Sequence, residues 1–232
     1  MAATYHWNSF SDGAALASAL AGKVAGLLAR AVSERGEALF AVSGGTTPAL
    51  FFATLSEADI AWDKVTVTLV DERFVPPSSP RSNAALVSAK LLQNGASKAG
   101  FLPLFRSGET IDEAADDGDG TMRALPLPFD VLMLGMGADG HTASLFPDAD
   151  GLETLLDPAS ARIVMPVHAK SAGEPRLTLT LAEIVRARFV GLQIEGVAKR
   201  RVFEGAMSES DRKPIRAVAE ALPHPIEVFW AP

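Results

Sequence analysis

Ala38-Leu39-Phe40-Ala41-Val42-Ser43-Gly44-Gly45-Thr46-Thr47-Pro48 decides the fold class. Five consecutive apolar residues closed by turn formers read as a buried strand that delivers its carboxyl end to a loop, with a helix following from about Pro48. The same grammar recurs downstream. Val65-Thr66-Val67-Thr68-Leu69-Val70 is a β-branched run that stops at Asp71-Glu72-Arg73, and helical spacing returns from Asn83 to Gln93. Phe129 to Leu134 is a third strand, ending in Gly135-Met136-Gly137-Ala138-Asp139-Gly140-His141. Further strands are expected at Arg162 to Val167, Arg188 to Ile194 and Ile226 to Trp230, with helices near Leu181 to Ala187, Gly196 to Ser208 and Pro214 to Leu222. Such alternation predicts an α/β fold with a mostly parallel sheet covered by helices on both faces. Ligands of such sheets sit outside the carboxyl ends of the strands, where the three polar tips would converge.

Upstream of the first strand, Ser11 or Asp12 is placed to cap a helix whose Leu16, Leu20, Val24, Leu27, Leu28 and Val32 share one face up to Gly36. Its stretch Gly13 to Val32 is interrupted by Ser18, Lys23 and Arg30 and reads as a soluble helix rather than a membrane span. Met1 to Asp12 holds no Lys or Arg, so no signal peptide is expected and a cytoplasmic location is. The 232 residues, 48% apolar and 21% charged, are read as one large domain and exclude disorder, collagen-like repeats and coiled coil as the main architecture. The absence of cysteine removes disulfides, thiolate metal sites and a cysteine nucleophile. A net charge of −7 is the wrong sign for a surface that binds nucleic acid or anionic lipid. An anionic small substrate stays compatible, because a pocket needs only a few local cations.

Ser43 to Pro48 reads as a phosphate cradle, its glycines letting backbone N–H groups approach an anion at a helix start, or as a tight turn. The lysine of a P-loop is missing. Gly135 to Gly140 matches G-x-G-x-x-G after a strand, yet Pro147 follows closely and no acid ends the next strand, so a dinucleotide site is not expected. The same loop offers Asp139 and His141, a carboxylate able to orient an imidazole that exchanges protons near neutrality. His6, His168 and His224 lack this setting. Asp71-Glu72-Arg73 offers acids for proton transfer and a cation for an oxyanion, or a surface salt-bridged turn. Arg176 and Lys199 each read alone as generic surface cations. Glu109 to Gly120 holds six acids, but Arg123 stands where a calcium loop counted from Asp112 needs a Glu, so a solvated helix or loop is expected.

Taken together, residues 43–48, Asp-Glu-Arg-Phe-Val-Pro at 71–76 with Ser82-Asn83, Gly-Met-Gly-Ala-Asp-Gly-His-Thr-Ala-Ser-Leu-Phe-Pro at 135–147 and Pro-Arg-Leu-Thr-Leu-Thr at 175–180 resemble the 6-phosphogluconolactonase family. The resemblance runs from about residue 8 to residue 230. It implies a three-layer α/β/α fold of modified Rossmann topology, one catalytic domain over residues 1–232, and hydrolysis of a sugar-phosphate lactone in the pentose phosphate pathway. Gly44, Gly45 and Thr46 would contact the phosphate, with Arg176 and Lys199 as countercharges. His141 would activate water, Asp139 would orient it, and Arg73 or backbone N–H groups would hold the oxyanion. Asp71 would position substrate or serve as the base in place of His141. No metal or organic cofactor is implied, and a monomer is expected. The related glucosamine-6-phosphate deaminases are the alternative: they carry an aromatic residue at the position of Arg73 and a Glu after Gly-His, whereas Thr142 to Pro147 contains no acid. A non-catalytic sugar-phosphate sensor would have no need of His141 and Asp139.

Overall fold

The structure is a computed structural model that describes residues 4–107, 110–208 and 213–232. In chain order its strands are β1 (Tyr5–Ser9), β2 (Ala38–Val42), β3 (Val65–Leu69), β4 (Asp71–Arg73), β5 (Gly100–Leu102), β6 (Val131–Leu134), β7 (Val164–Val167), β8 (Arg176–Leu179), β9 (Val190–Glu195) and β10 (Ile226–Ala231). The helices are α1 (Gly13–Arg35), α2 (Ala49–Ser56), α3 (Asn83–Lys90), α4 (Ile111–Arg123), α5 (Leu152–Leu155), α6 (Leu181–Arg186), α7 (Val197–Ser208) and α8 (Pro214–Ala221). Seven strands form one parallel sheet in the order β1-β10-β9-β6-β2-β3-β5. Every residue of β2 and β6 is buried, as their continuous apolar runs require. Helices flank the sheet, α1 packing with α2 and the strands, α7 with β9 and α8.

Asp12 supplies the expected cap of α1, its Oδ1 accepting from the Ala15 N–H at 2.8 Å. Gly36 ends the helix at φ 83°, a left-handed turn that glycine adopts without strain. By length and composition α1 could cross a membrane. Here its stripe of Leu16, Leu20, Val24 and Leu28 is fully buried in the core, with Leu27 and Val32 at the margin.

Three features depart from the sequence reading. Strands β1, β5 and β8 were not expected, being only three to five residues long and, in β1 and β8, partly polar. Asp71-Glu72-Arg73 is not the polar end of β3 but a separate strand in a second, antiparallel sheet of order β4-β8-β7. Val70 is the pivot: its N–H bonds to Val42 O in the main sheet, while its carbonyl accepts from Leu179 N in the second. The acidic segment is a helix from Ile111 and not uniformly solvated; Glu109 lies outside the described residues. Asp119 is buried and accepts from the N–H groups of Ile163 and Val164 at 2.5 and 3.2 Å and from Arg123 Nε at 2.8 Å. Burial acts to raise its pKa, and these donors prevail and hold it below the ordinary value. It ties α4 to β7.

Glu183 on α6 gives a pH-dependent prediction. It is 1% exposed, and one of its carboxylate oxygens has no hydrogen-bond partner. Burial raises its pKa to about 7, with Arg186 pulling the other way. The folded chain therefore holds a proton that the unfolded chain gives up near the ordinary Glu range. Stability from this group is present in acid and declines as pH rises towards 7, where the buried charge appears. Glu183→Gln is expected to gain about 2–3 kcal/mol over wild type at pH 8 and little at pH 4.5, measured by urea unfolding at both values. An equal difference at the two pH values would refute the assignment.

Candidate active site

The strand order reverses between β2 and β6: the chain runs outward through β3 and β5 on one side and through β9 and β10 on the other. The carboxyl ends of β2 and β6 therefore open a crevice at a topological switch point. Ser43 to Pro48 and Gly135 to His141 are the two loops on its lips. They are tied directly, since Gly135 N–H donates to Ser43 Oγ at 3.0 Å. A cleft of about 220 Å³ lies between them, lined by Gly44, Gly45, Thr46, Asp71, Arg73, His141, Arg176 and Lys199 among others. Eight of the nine residues expected from the sequence thus meet in one place. The ninth, Asp139, stands behind His141.

The Asp139–His141 unit is built by its turn. Asp139 Oδ1 accepts from the His141 backbone N–H at 3.1 Å and from Nδ1 of the ring at 2.6 Å. With Nδ1–H donating there, Nε2 carries the lone pair and is left for the cleft. The Phe146 ring packs on the imidazole, centroids 4.3 Å apart, and Arg176 lies over the same Phe146 ring at 5.6 Å. Gly140 takes φ 85° to turn the chain between the two residues. Gly137 is needed for space: a Cβ there would overlap His141 Cε1 and Nδ1 and lie 2.7 Å from Asp139 Oδ1. Gly137→Ala is expected to push the ring off its carboxylate and lower kcat by at least ~10-fold with the fold retained, read by steady-state kinetics beside circular dichroism. Wild-type kcat in a folded variant would show the pair to be unimportant.

Two of the three cations come from the second sheet. Asp71 and Arg73 lie two residues apart on β4, opposite Thr178 and Arg176 of β8, so Asp71, Arg73 and Arg176 share the face turned to the cleft, with Thr178 buried behind them. Arg176 is mostly buried, which lowers its pKa, while Asp71 and Glu174 favour its charge. Its Nη2 donates to Ala172 O at 3.0 Å, and its buried Nε has no partner. Arg73 donates through Nη1 to the carbonyl of Arg81. Lys199, on α7, has its pKa lowered by burial, with Glu195 opposing the shift. Two guanidinium groups and an ammonium thus face one small cleft beside Gly44, Gly45 and Thr46, a local positive field in an acidic chain.

Glu72 is not a proton-transfer candidate. Alternation along β4 turns it away from Asp71 and Arg73 into the protein, where it is fully buried. Its carboxylate accepts from the N–H groups of Arg73, Asn83 and Ala84 and from Ser82 Oγ, all within 2.7–3.0 Å. Burial raises its pKa, and these donors oppose the shift.

Several residues of the site were not singled out from the sequence. Asn83 donates to the carbonyl of Asp71 at 2.9 Å and fills the space where a Gly44 side chain would sit. Ser144 Oγ donates to Asp71 Oδ2 at 2.6 Å. Gln193, on β9, gives its amide hydrogens to Thr47 O and Glu195 Oε1, both at 3.2 Å, and supports the loop Ser43 to Pro48 from below. Only the pairing of Ser82-Asn83 with Asp71-Glu72 was hinted at, by their shared appearance in one motif. After His141 the chain makes turns rather than a helix, so the G-x-G-x-x-G spacing does not form a dinucleotide-binding βα unit.

The profile of the family "Glucosamine-6-phosphate isomerases/6-phosphogluconolactonase" matches residues 11–230. The chain is 64% identical over 230 residues to a 6-phosphogluconolactonase of Mesorhizobium japonicum, covering 99% of this chain and 97% of the relative. It is 48% identical over 225 residues to that of Rhizobium meliloti, covering 96% and 97%. Among solved structures, a 6-phosphogluconolactonase from Shewanella baltica superposes with a TM-score of 0.94 at 38% identity, covering 98% of each chain.

Proposed function

The chain belongs to the glucosamine-6-phosphate isomerase/6-phosphogluconolactonase family, and from that premise we propose that it hydrolyses 6-phospho-D-glucono-1,5-lactone to 6-phospho-D-gluconate in the oxidative pentose phosphate pathway. The observation that carries the mechanism is the 2.6 Å contact between Asp139 and His141 at the edge of a cleft rich in cations. His141 Nε2 takes a proton from water as the water oxygen bonds to the lactone carbonyl carbon. The tetrahedral intermediate then collapses, the bond from that carbon to the ring oxygen breaks, and the imidazolium returns the proton to the departing oxygen. Asp139 holds the ring in the tautomer this requires and stabilises the imidazolium. Arg73 or backbone N–H groups meet the oxyanion.

Gly44, Gly45 and Thr46 hold the phosphate with Arg176 and Lys199 as its countercharges. Arg176 carries an unpartnered buried Nε, a donor suited to an anion's oxygen. Asp71 positions substrate: Ser144 occupies one of its oxygens and Arg176 lies within its field. These groups need no metal ion or organic cofactor for the hydrolysis described. Residues 1–232 act as one catalytic domain, monomeric and cytoplasmic.

Deamination of glucosamine 6-phosphate is the weaker reading. The segment Thr142 to Pro147 supplies no carboxylate, and its polar side chains are committed, Thr142 to the Gly135 carbonyl and Ser144 to Asp71. The test is proton release from freshly generated lactone, corrected for spontaneous opening, beside ammonia release from glucosamine 6-phosphate. Fast proton release with no ammonia is expected. Ammonia release without lactone hydrolysis would reverse the assignment.

A further inference from the structure

A second concave site lies at the opposite pole of the main sheet. Asp130 precedes β6, and Arg188 and Phe189 precede β9, so they stand at the amino ends of strands whose carboxyl ends border the cleft. The six residues of β9 separate the two poles by roughly 20 Å. From α1, Lys23, Leu27, Arg30 and Glu34 project to the same side at helical spacing, and with Arg35 they complete a groove of about 480 Å³.

Cations exceed acids here. Among the described residues lining the groove, Lys23, Arg30, Arg35 and Arg188 stand with the acids Asp130 and Glu34, and each acid is shared between two arginines. Asp130 Oδ1 contacts Arg35 Nη2 at 2.5 Å and Arg188 Nε at 3.3 Å, while its Oδ2 accepts from Leu39 N–H at 2.9 Å. Glu34 meets Arg35 at 3.0 Å and Arg30 at 3.8 Å. Lys23 Nζ stands 5.7 Å from the centroid of the Phe189 ring. The carboxylate within its electrostatic reach, Glu227, is already bonded to His6 and Asn8. The half-exposed Arg35–Asp130 pair joins the end of α1 to the start of β6. Counted over its lining, the groove holds two more cations than acids around an apolar floor of Leu27 and Phe189, on a chain of net charge −7.

We propose that this groove is a second anion site, which binds a small organic phosphate of two or more negative charges. Lys23, Arg30 and Arg188 hold the phosphate oxygens, and the organic part rests on Leu27 and Phe189. The site is separate from the cleft and does not depend on the lactonase reading.

The test uses inorganic pyrophosphate and ADP as probes, with binding followed by calorimetry and by protection of lysines from acetylation, read peptide by peptide. Lys23 reports the groove, and Lys199 reports the cleft in the same sample. Protection of Lys23 with a Kd of ~0.1–1 mM is expected, weakening with added salt, and tighter for ADP, which also covers the apolar floor. The double variant K23E/R30E changes only exposed side chains. It should weaken binding at the groove by at least ~10-fold while lactone hydrolysis stays at the wild-type rate. Protection of Lys199 without Lys23, or unchanged calorimetric affinity in K23E/R30E, would overturn the site. Equal affinity for the two probes would overturn its assignment to an organic ligand.

Discussion

His141→Ala is expected to lower kcat for lactone hydrolysis by ~10²–10⁴-fold with little change in KM, the range for removal of a general base that does not hold the ground state. The phosphate contacts proposed for Gly45, Thr46, Arg176 and Lys199 all survive the substitution, so substrate still binds. What is lost is the atom that receives the water proton. Asp139→Asn separates orientation from basicity. A carboxamide can still accept from the His141 backbone N–H that Asp139 now engages at 3.1 Å, but it no longer stabilises an imidazolium through the 2.6 Å ring contact. Its loss of kcat should be at least ~10-fold and smaller than that of His141→Ala. Stopped-flow proton release with wild type and both variants gives the three rates. A fully active His141→Ala enzyme would pass the base role to Asp71, which lines the same cleft.

What the sequence disclosed, and what it did not, follows from how far apart the interacting residues lie. β2 with its loop and β6 were legible because fully buried parallel strands are written as unbroken apolar runs ended by turn residues, and β3 because its Val and Thr residues are β-branched. Convergence of their tips followed from the rule that such sheets bind ligands at the carboxyl ends, and eight expected residues do line the cleft. The second sheet was not legible. β4 pairs with β8 across about a hundred residues, and neither three-residue Asp71–Arg73 nor the short Arg176–Leu179 carries a period long enough to read. That pairing converts Arg176 from a generic surface cation into the partner of Arg73 on the cleft face. Gln193 was hidden for a related reason: one polar residue within a buried strand has no local signature, and its value lies in reaching Thr47.

Glu72→Ala should cost about 3–5 kcal/mol of folding stability, although Glu72 touches nothing in the cleft. Its carboxylate takes three backbone N–H groups and one hydroxyl, two of the N–H groups from the first turn of α3. Those first-turn donors have no partner within their own helix, and here they belong to buried residues. Truncation therefore leaves several buried donors unmatched and opens a void the size of a carboxyl side chain. Glu72→Gln should fall between wild type and alanine, because one acceptor oxygen remains while the new amide meets a donor head-on. The consequence reaches the site through two neighbours. Arg73 N–H and Asn83 N–H are both held by Glu72, and Asn83 in turn fixes the carbonyl of Asp71 and packs on Gly44. Even where the variants fold, at low temperature, KM should rise more than kcat falls, since the disturbed groups are those proposed to position substrate. Urea unfolding midpoints for the three proteins, with kinetics measured well below each midpoint, test both parts. A Glu72→Ala protein within ~1 kcal/mol of wild type would mean that water or a shifted α3 satisfies the donors, and the carboxylate would then not be what joins the second sheet to the cleft.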